Sequence, residues 1–275
     1  MTSIHFILLL STGLIGGFLG GLLGLGGGVV FAPVLLFYFQ QIGVPDAALL
    51  PLTIGTSLCA VLITMFSTTY AQHRKGALRI QVALFSGTVS ASIALIATIA
   101  ISTQSWYDKR YFQLFFGAML LLVTWRMVMY KPIVGGADVE RTDQKSILMA
   151  IGGISGFVSA LTGVGGGTIL VPAYHRFLNM QMTVATATSS GTILMTSATA
   201  ILGYLYQGWG KHILPFSFGY VDGLAAVLLA FPAILSAQWG VGAAHKINTL
   251  WLKRIFAAFA LFISLRMIYN ALFDL

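Results

Sequence analysis

Two short stretches of this chain could bind a ligand through backbone alone. Gly24-Leu25-Gly26-Gly27-Gly28 and Gly163-Val164-Gly165-Gly166-Gly167 each interrupt a hydrophobic segment, and Pro33 and Pro172 follow the last glycine by five residues. Consecutive glycines release the backbone from the conformations that other residues allow. The apolar runs that follow, Val29 to Phe39 and Thr168 to Leu178, are eleven residues each. At the α-helical rise each makes a helix of about 16 Å, half of a ~30 Å hydrocarbon core. The first turn of such a half-helix carries unpaired N–H groups and roughly half a positive charge. Anion binding is the chemistry that follows. The candidate residues are Gly24, Gly26, Gly27 and Gly28, with Gly163, Gly165, Gly166 and Gly167. Irregular backbone at mid-membrane is tolerated only against protein or water.

Hydroxyl side chains could complete the site. Thr168 adjoins the second cluster, and the pairs Thr56-Ser57 and Thr188-Ser189 occupy matching places in the segments that follow. The competing role for each is a bond to its own helix, four residues back. Asp222 is the one carboxylate expected inside a segment, which makes it the candidate for proton coupling, with Gln81 as its counterpart. His5, His73, His175, His212 and His245 fall at segment ends, where interfacial polar residues are common. No HExxH motif and no histidine pair at i, i+4 spacing occurs, and Cys59 is the single cysteine. That excludes the common metal-enzyme signatures and an internal disulfide. No Walker-type loop is present, so ATP hydrolysis is not encoded, and no metal or cofactor is expected.

The elements that must position these residues are hydrophobic helices. Of the 275 residues 57% are apolar and 8% charged, against roughly 25% charged in soluble domains. No Asp, Glu, Lys or Arg precedes Asp46, and long uncharged gaps recur. Eight hydrophobic segments result: 4–39 and 146–178, both interrupted, and 48–72, 80–101, 111–130, 183–206, 217–240 and 250–273. The net charge of +8 sits at segment ends, so the partner it implies is the lipid bilayer and not a nucleic acid. Residues 1 to 10 lack the basic start of a cleavable signal. Gly13, Gly16, Gly17, Gly20 and Gly21 suit close helix packing.

The chain repeats. Besides the glycine clusters, Gly17-Phe18 matches Gly156-Phe157, Thr56-Ser57 matches Thr188-Ser189, Gly76 matches Gly208 and Arg126-Met127 matches Arg266-Met267, all in order. Residues 1–133 form the first repeat, 134–145 a polar linker and 146–275 the second. If each interrupted segment folds back on itself, each repeat makes three crossings and the copies are inverted. Arg74, Lys75, Arg79, Arg126, Lys131, Arg141, Lys145, Arg176, Lys246, Lys253 and Arg254 then share a side, against Lys109, Arg110, Lys211 and Arg266. That asymmetry fits the positive-inside rule and puts both termini outside. The expected fold is an all-α polytopic membrane protein of two inverted repeats, each with a glycine-broken re-entrant element and three full spans.

The doubled GxGGGxxxxP pattern in an eight-segment membrane protein resembles the TauE/SafE sulfite exporter family. The resemblance covers nearly the whole chain and implies transport of small sulfur-containing anions, such as sulfite and organosulfonates, across the cytoplasmic membrane. It also implies an anion-transport role for Gly24 to Gly28 and Gly163 to Gly167. The leading expectation is therefore a secondary transporter, an exporter of a small sulfur oxyanion. The alternatives are an ion channel or cation transporter, which would call for helix C-termini and carboxylates at the site, and a non-transporting partner of a membrane complex.

Overall fold

The computed structural model describes residues 3–101, 104, 108–129, 144–244 and 249–273. Among them are ten helices: α1 (Ser3–Leu23), α2 (Gly28–Gln41), α3 (Asp46–Arg74), α4 (Ile80–Ile101), α5 (Lys109–Met129), α6 (Lys145–Thr162), α7 (Gly167–Phe177), α8 (Met182–Gln207), α9 (Gly223–Ala244) and α10 (Thr249–Phe273). Two short strands, β1 (Ser217–Phe218) and β2 (Val221–Asp222), pair as an antiparallel hairpin. Helices α1, α3, α4, α6 and α9 are long and apolar enough to cross a membrane. The chain is an all-α polytopic membrane protein. Most of the expected linker, and His245, lie outside the described residues.

The glycine clusters break two helices where expected. At the first break the chain reverses. His5 Nε2, near the start of α1, lies 3.3 Å from Gln41 Oε1 at the end of α2, and its ring meets Tyr38 edge-on at 5.4 Å. Helices α1 and α2 are thus a hairpin with its tip at Gly24–Gly27.

One segment differs from expectation. The 217–240 segment does not begin as a helix: residues 217–222 form the hairpin, and α9 starts at Gly223. Gly219, at φ 57°, makes the turn. The Asp222 carboxylate then accepts the N–H of Ala225 at 2.7 Å, an N-cap that fixes where the helix begins.

Packing registers give helix directions. Gly13, Gly17 and Gly21 of α1 abut Leu229, Ala233 and Ala237 of α9, so these two run parallel. Gly152 and Gly156 of α6 abut Ser86 and Ser90 of α4 in the same way. The Thr56–Asp222 and Ser67–Gln238 bonds set α3 parallel to α9. The Thr196–Ser90 and Gln207–Ile99 bonds set α8 parallel to α4. Between the two sets α3 and α8 run antiparallel, Thr69 bonding Ser190 while Gly55 meets Tyr204.

The molecule therefore consists of two bundles, α1–α2–α3–α9 and α4–α6–α7–α8, with α5 and α10 joined beside them where Ser264 donates to Gly117 O. Each bundle borrows one helix from the other half of the sequence. The close α1–α9 contact needs glycine: a Cβ at Gly21 would sit 2.1 Å from Ala237 O. Between membrane helices such small-residue faces let backbones approach closely and maximise dispersion contact.

Candidate anion site at the paired glycine turns

Only glycine readily builds these turns. Gly24, Gly26 and Gly27 adopt φ of 67°, 84° and 76°, and Gly163, Gly165 and Gly166 adopt 71°, 82° and 80°. Left-handed backbone costs any other L-residue about 1–2 kcal/mol. The glycines that open the two half-helices leave no room for side chains. A Cβ on Gly28 would lie 2.6 Å from Val164 Cα, and one on Gly167 would lie 2.8 Å from Leu25 Cα. The two turns meet backbone to backbone.

Both turns rest on the same two side chains. A Cβ on Gly26 would be 3.1 Å from Val61 Cγ1 and 3.6 Å from Ile193 Cγ2; on Gly165 it would be 2.6 Å from Ile193 Cγ2 and 3.1 Å from Val61 Cγ1. Val61 lies near the middle of α3 and Ile193 in the middle part of α8, so the meeting point is at mid-length of this antiparallel pair.

The turns present donors. Among the described residues, the N–H groups of Leu25, Gly26, Gly27, Gly28 and Val29 have no intramolecular acceptor, and neither do those of Gly165, Gly166, Gly167 and Thr168. The Val164 N–H reaches Thr162 Oγ1 at 3.4 Å. Pairing resumes only at Val30 and Ile169, which donate to Gly27 O and Gly166 O. Successive unpaired N–H groups at a helix start form an anion-binding concavity.

The hydroxyl candidates divide. Ser57 Oγ donates to Gly163 O at 2.8 Å, and Ser189 Oγ lies 3.0 Å from Gly24 O, so each grips the turn of the opposite half. Thr56 Oγ1 instead accepts the Asp222 N–H at 2.9 Å, and Thr188 Oγ1 accepts the Arg79 N–H at 3.2 Å. The Thr168 hydroxyl points to Met119 Sδ of α5 at 3.8 Å. Only the serine pair, of these, touches the turns.

The matching threonine bonds set Arg79, two residues before Gln81, in the place that Asp222 takes at Thr56. The hairpin inserted before α9 shifts the spacing, which sequence matching could not track. Asp222 is buried and lies just before the α9 span; burial pushes its carboxyl pKa up, and the N–H groups of Ala225 and Leu224 partly offset this. Cys59 is half-buried and free.

Sequence reasoning missed Val61 and Ile193, although each stands four residues past the second member of its Thr-Ser pair. It also missed a fully buried hydroxyl cluster. Tyr174 OH bonds Ser86 Oγ and lies 2.9 Å from Thr192 Oγ1, itself 3.2 Å from Ser86 Oγ. The equivalent positions in the other bundle are Leu35, Leu229 and Ala60. The two bundles thus differ in polarity at these positions.

Paired helix breaks buried in the middle of a multi-pass helical fold are an arrangement that many membrane transporters share. Comparison with known proteins agrees. The chain belongs to the sulfite exporter TauE/SafE family, whose sequence profile matches residues 9–267. It is similar to a probable membrane transporter protein of Haemophilus influenzae, 27% identical over 95% of this chain and 98% of that one. Similar proteins of the same description occur in Methanocaldococcus jannaschii, 28% identical over 90% of this chain and 89% of that one, and in Bacillus subtilis (YunE), 26% identical over 98% and 99%. No solved structure matches the chain.

Proposed function

We propose that the chain is a secondary transporter that exports a small sulfur oxyanion, such as sulfite or a sulfonate, across the cytoplasmic membrane. The anion binds between the two glycine turns, on the N–H groups of Gly26 to Val29 and Gly165 to Thr168. The observation that carries this reading is the meeting of two turns whose N–H groups lack partners. The carbonyls of Gly24 and Gly163 are engaged by serines, which leaves the turns dominated by donors and disfavours a cation. The family's description supplies sulfite as the first substrate to test.

In this reading the halves, 1–133 and 146–275 about the 134–145 linker, are an inverted repeat with both termini outside. The antiparallel α3–α8 pair and the parallel α1–α9 and α4–α6 pairs support it. Because the halves exchange helices, access alternates by movement of one exchanged bundle against the other, about the glycine turns. An inside-negative potential favours anion export by about 2.3 kcal/mol per charge per 100 mV, so uniport suffices. Asp222 is the residue that would carry a coupled proton.

Purified protein in liposomes tests this. Uptake of radiolabelled sulfite, with competition by thiosulfate or sulfoacetate but not by a neutral isostere, is the expected result. Uptake insensitive to every anion would sink the reading.

A further inference from the structure

Ser57 and Ser189 were expected to touch the substrate, and the geometry assigns them another task. Both are fully buried, and both reach across the bundle interface. Ser57, on α3 of one bundle, donates to Gly163 O at 2.8 Å in the turn of the other; Ser189, on α8, lies 3.0 Å from Gly24 O in the reverse sense. A hydroxyl has one proton to give. That of Ser57 is given to a turn carbonyl, so it is not available to an anion.

We propose that Ser57 and Ser189 are positioning residues that hold the turn peptides in the anion-binding orientation. The Gly24–Leu25 and Gly163–Val164 peptides each follow a left-handed glycine, on whose side no Cβ resists rotation of the peptide. Inversion of the Gly163–Val164 peptide, or of Gly24–Leu25, would reorient a carbonyl dipole beside the donors. An anion there would meet partial negative charge in place of an N–H. Fixing the carbonyl oxygen from the opposite bundle prevents this, and it aligns both turns only when the two bundles are docked. Fixed dipoles of this kind are effective because they need no reorganisation when the charge arrives. The two serines are not equal. Ser189 Oγ also lies 2.9 Å from Thr186 O in its own helix, whereas Gly163 O is the one acceptor of Ser57 among the described residues. Ser57 therefore carries the larger share.

This inference rests on the anion site proposed above, and the experiment separates the two. Transport kinetics of Ser57→Ala and Ser189→Ala are measured in proteoliposomes with radiolabelled sulfite and with thiosulfate, alongside thermal unfolding. KM should rise about five- to tenfold for Ser57→Ala, the loss set by one hydrogen bond, and less for Ser189→Ala, with kcat nearly unchanged. The rise should be the same for both anions. A rise confined to one anion makes the serine a direct contact and overturns the proposal. Unchanged KM with lowered thermal stability makes the bonds purely structural and overturns it too. Should Ser57→Ala not fold, Ser189→Ala carries the same test, and failure of both to fold also overturns it. If wild-type liposomes move neither anion, the substrate reading itself falls.

Discussion

At the scale of the residue, the site depends on what is missing from it. Gly166 combines a φ of 80° with no space: an added Cβ would sit 2.1 Å from Ser155 Oγ and 2.8 Å from Ser155 O. Gly166→Ala should lose at least about 2 kcal/mol, from left-handed strain plus the backbone clash. Gly153, on α6, has nothing within 4 Å of its Cβ position. Gly153→Ala should leave the thermal midpoint in detergent unchanged or slightly raised, which checks that the effect belongs to the turn. Tyr174→Phe would deprive Ser86 and Thr192 of a shared partner in a fully buried site, at about 1–2 kcal/mol by the same assay. The glycine turns were legible in the sequence because few other residues can make them. The Tyr174 cluster was not, since its members come from α4, α7 and α8 and share no spacing.

At the scale of the element, α9 shows how a cap decides a boundary. Asp222 Oδ1 accepts the Ala225 N–H, so the residue begins the helix whatever else it does. Asp222→Ala should cost about 1 kcal/mol, and Asp222→Asn, which caps equally well, should not. Burial raises the native carboxyl pKa above its unfolded value. Ionisation then costs native stability as pH rises through the native pKa. Asp222→Asn escapes that cost, so its thermal midpoint should match wild type in acid and exceed it at neutral pH. A gap of the opposite sign would mean that the charged form is the one the fold prefers. Hydrophobic run length alone had extended this segment back to residue 217, because Phe216, Phe218, Tyr220 and Val221 are apolar. The pairing of Ser217 with Asp222 makes a hairpin of them instead.

At the scale of the whole molecule, helix direction makes two claims testable. Lys75 follows the end of α3 and Lys211 follows the end of α8, and those helices are antiparallel. Single cysteines at 75 and 211, with Cys59 replaced, should react with an impermeant reagent from opposite faces of the membrane; labelling from one face would rule out inversion. The bundles give a second test. Thr69 and Ser190, 3.3 Å apart, bridge the two bundles, whereas Ser67 and Gln238, also 3.3 Å apart, join helices of one bundle. A disulfide in Thr69→Cys/Ser190→Cys should stop transport until reduced. The same link in Ser67→Cys/Gln238→Cys should leave it running. The reverse pattern would place the moving boundary elsewhere.

The chain's composition determined that it lives in a membrane, since so few charges cannot cover a soluble surface of this size. Its repeated glycines determined where two helices break, because left-handed backbone is a local property that a glycine declares by itself. Tertiary structure alone decided that these breaks touch, that Ser57 and Ser189 hold each other's turns, and that α4 and α9 change bundles. The serine contacts join residues more than a hundred positions apart. They arise from how small-residue faces pack, and packing between distant helices leaves no periodicity in the sequence of either. The residue whose meaning changed most is Ser57. Its type and place marked it as a donor near the proposed site, and only the fold revealed that its proton is given to the carbonyl of Gly163 in the opposite turn.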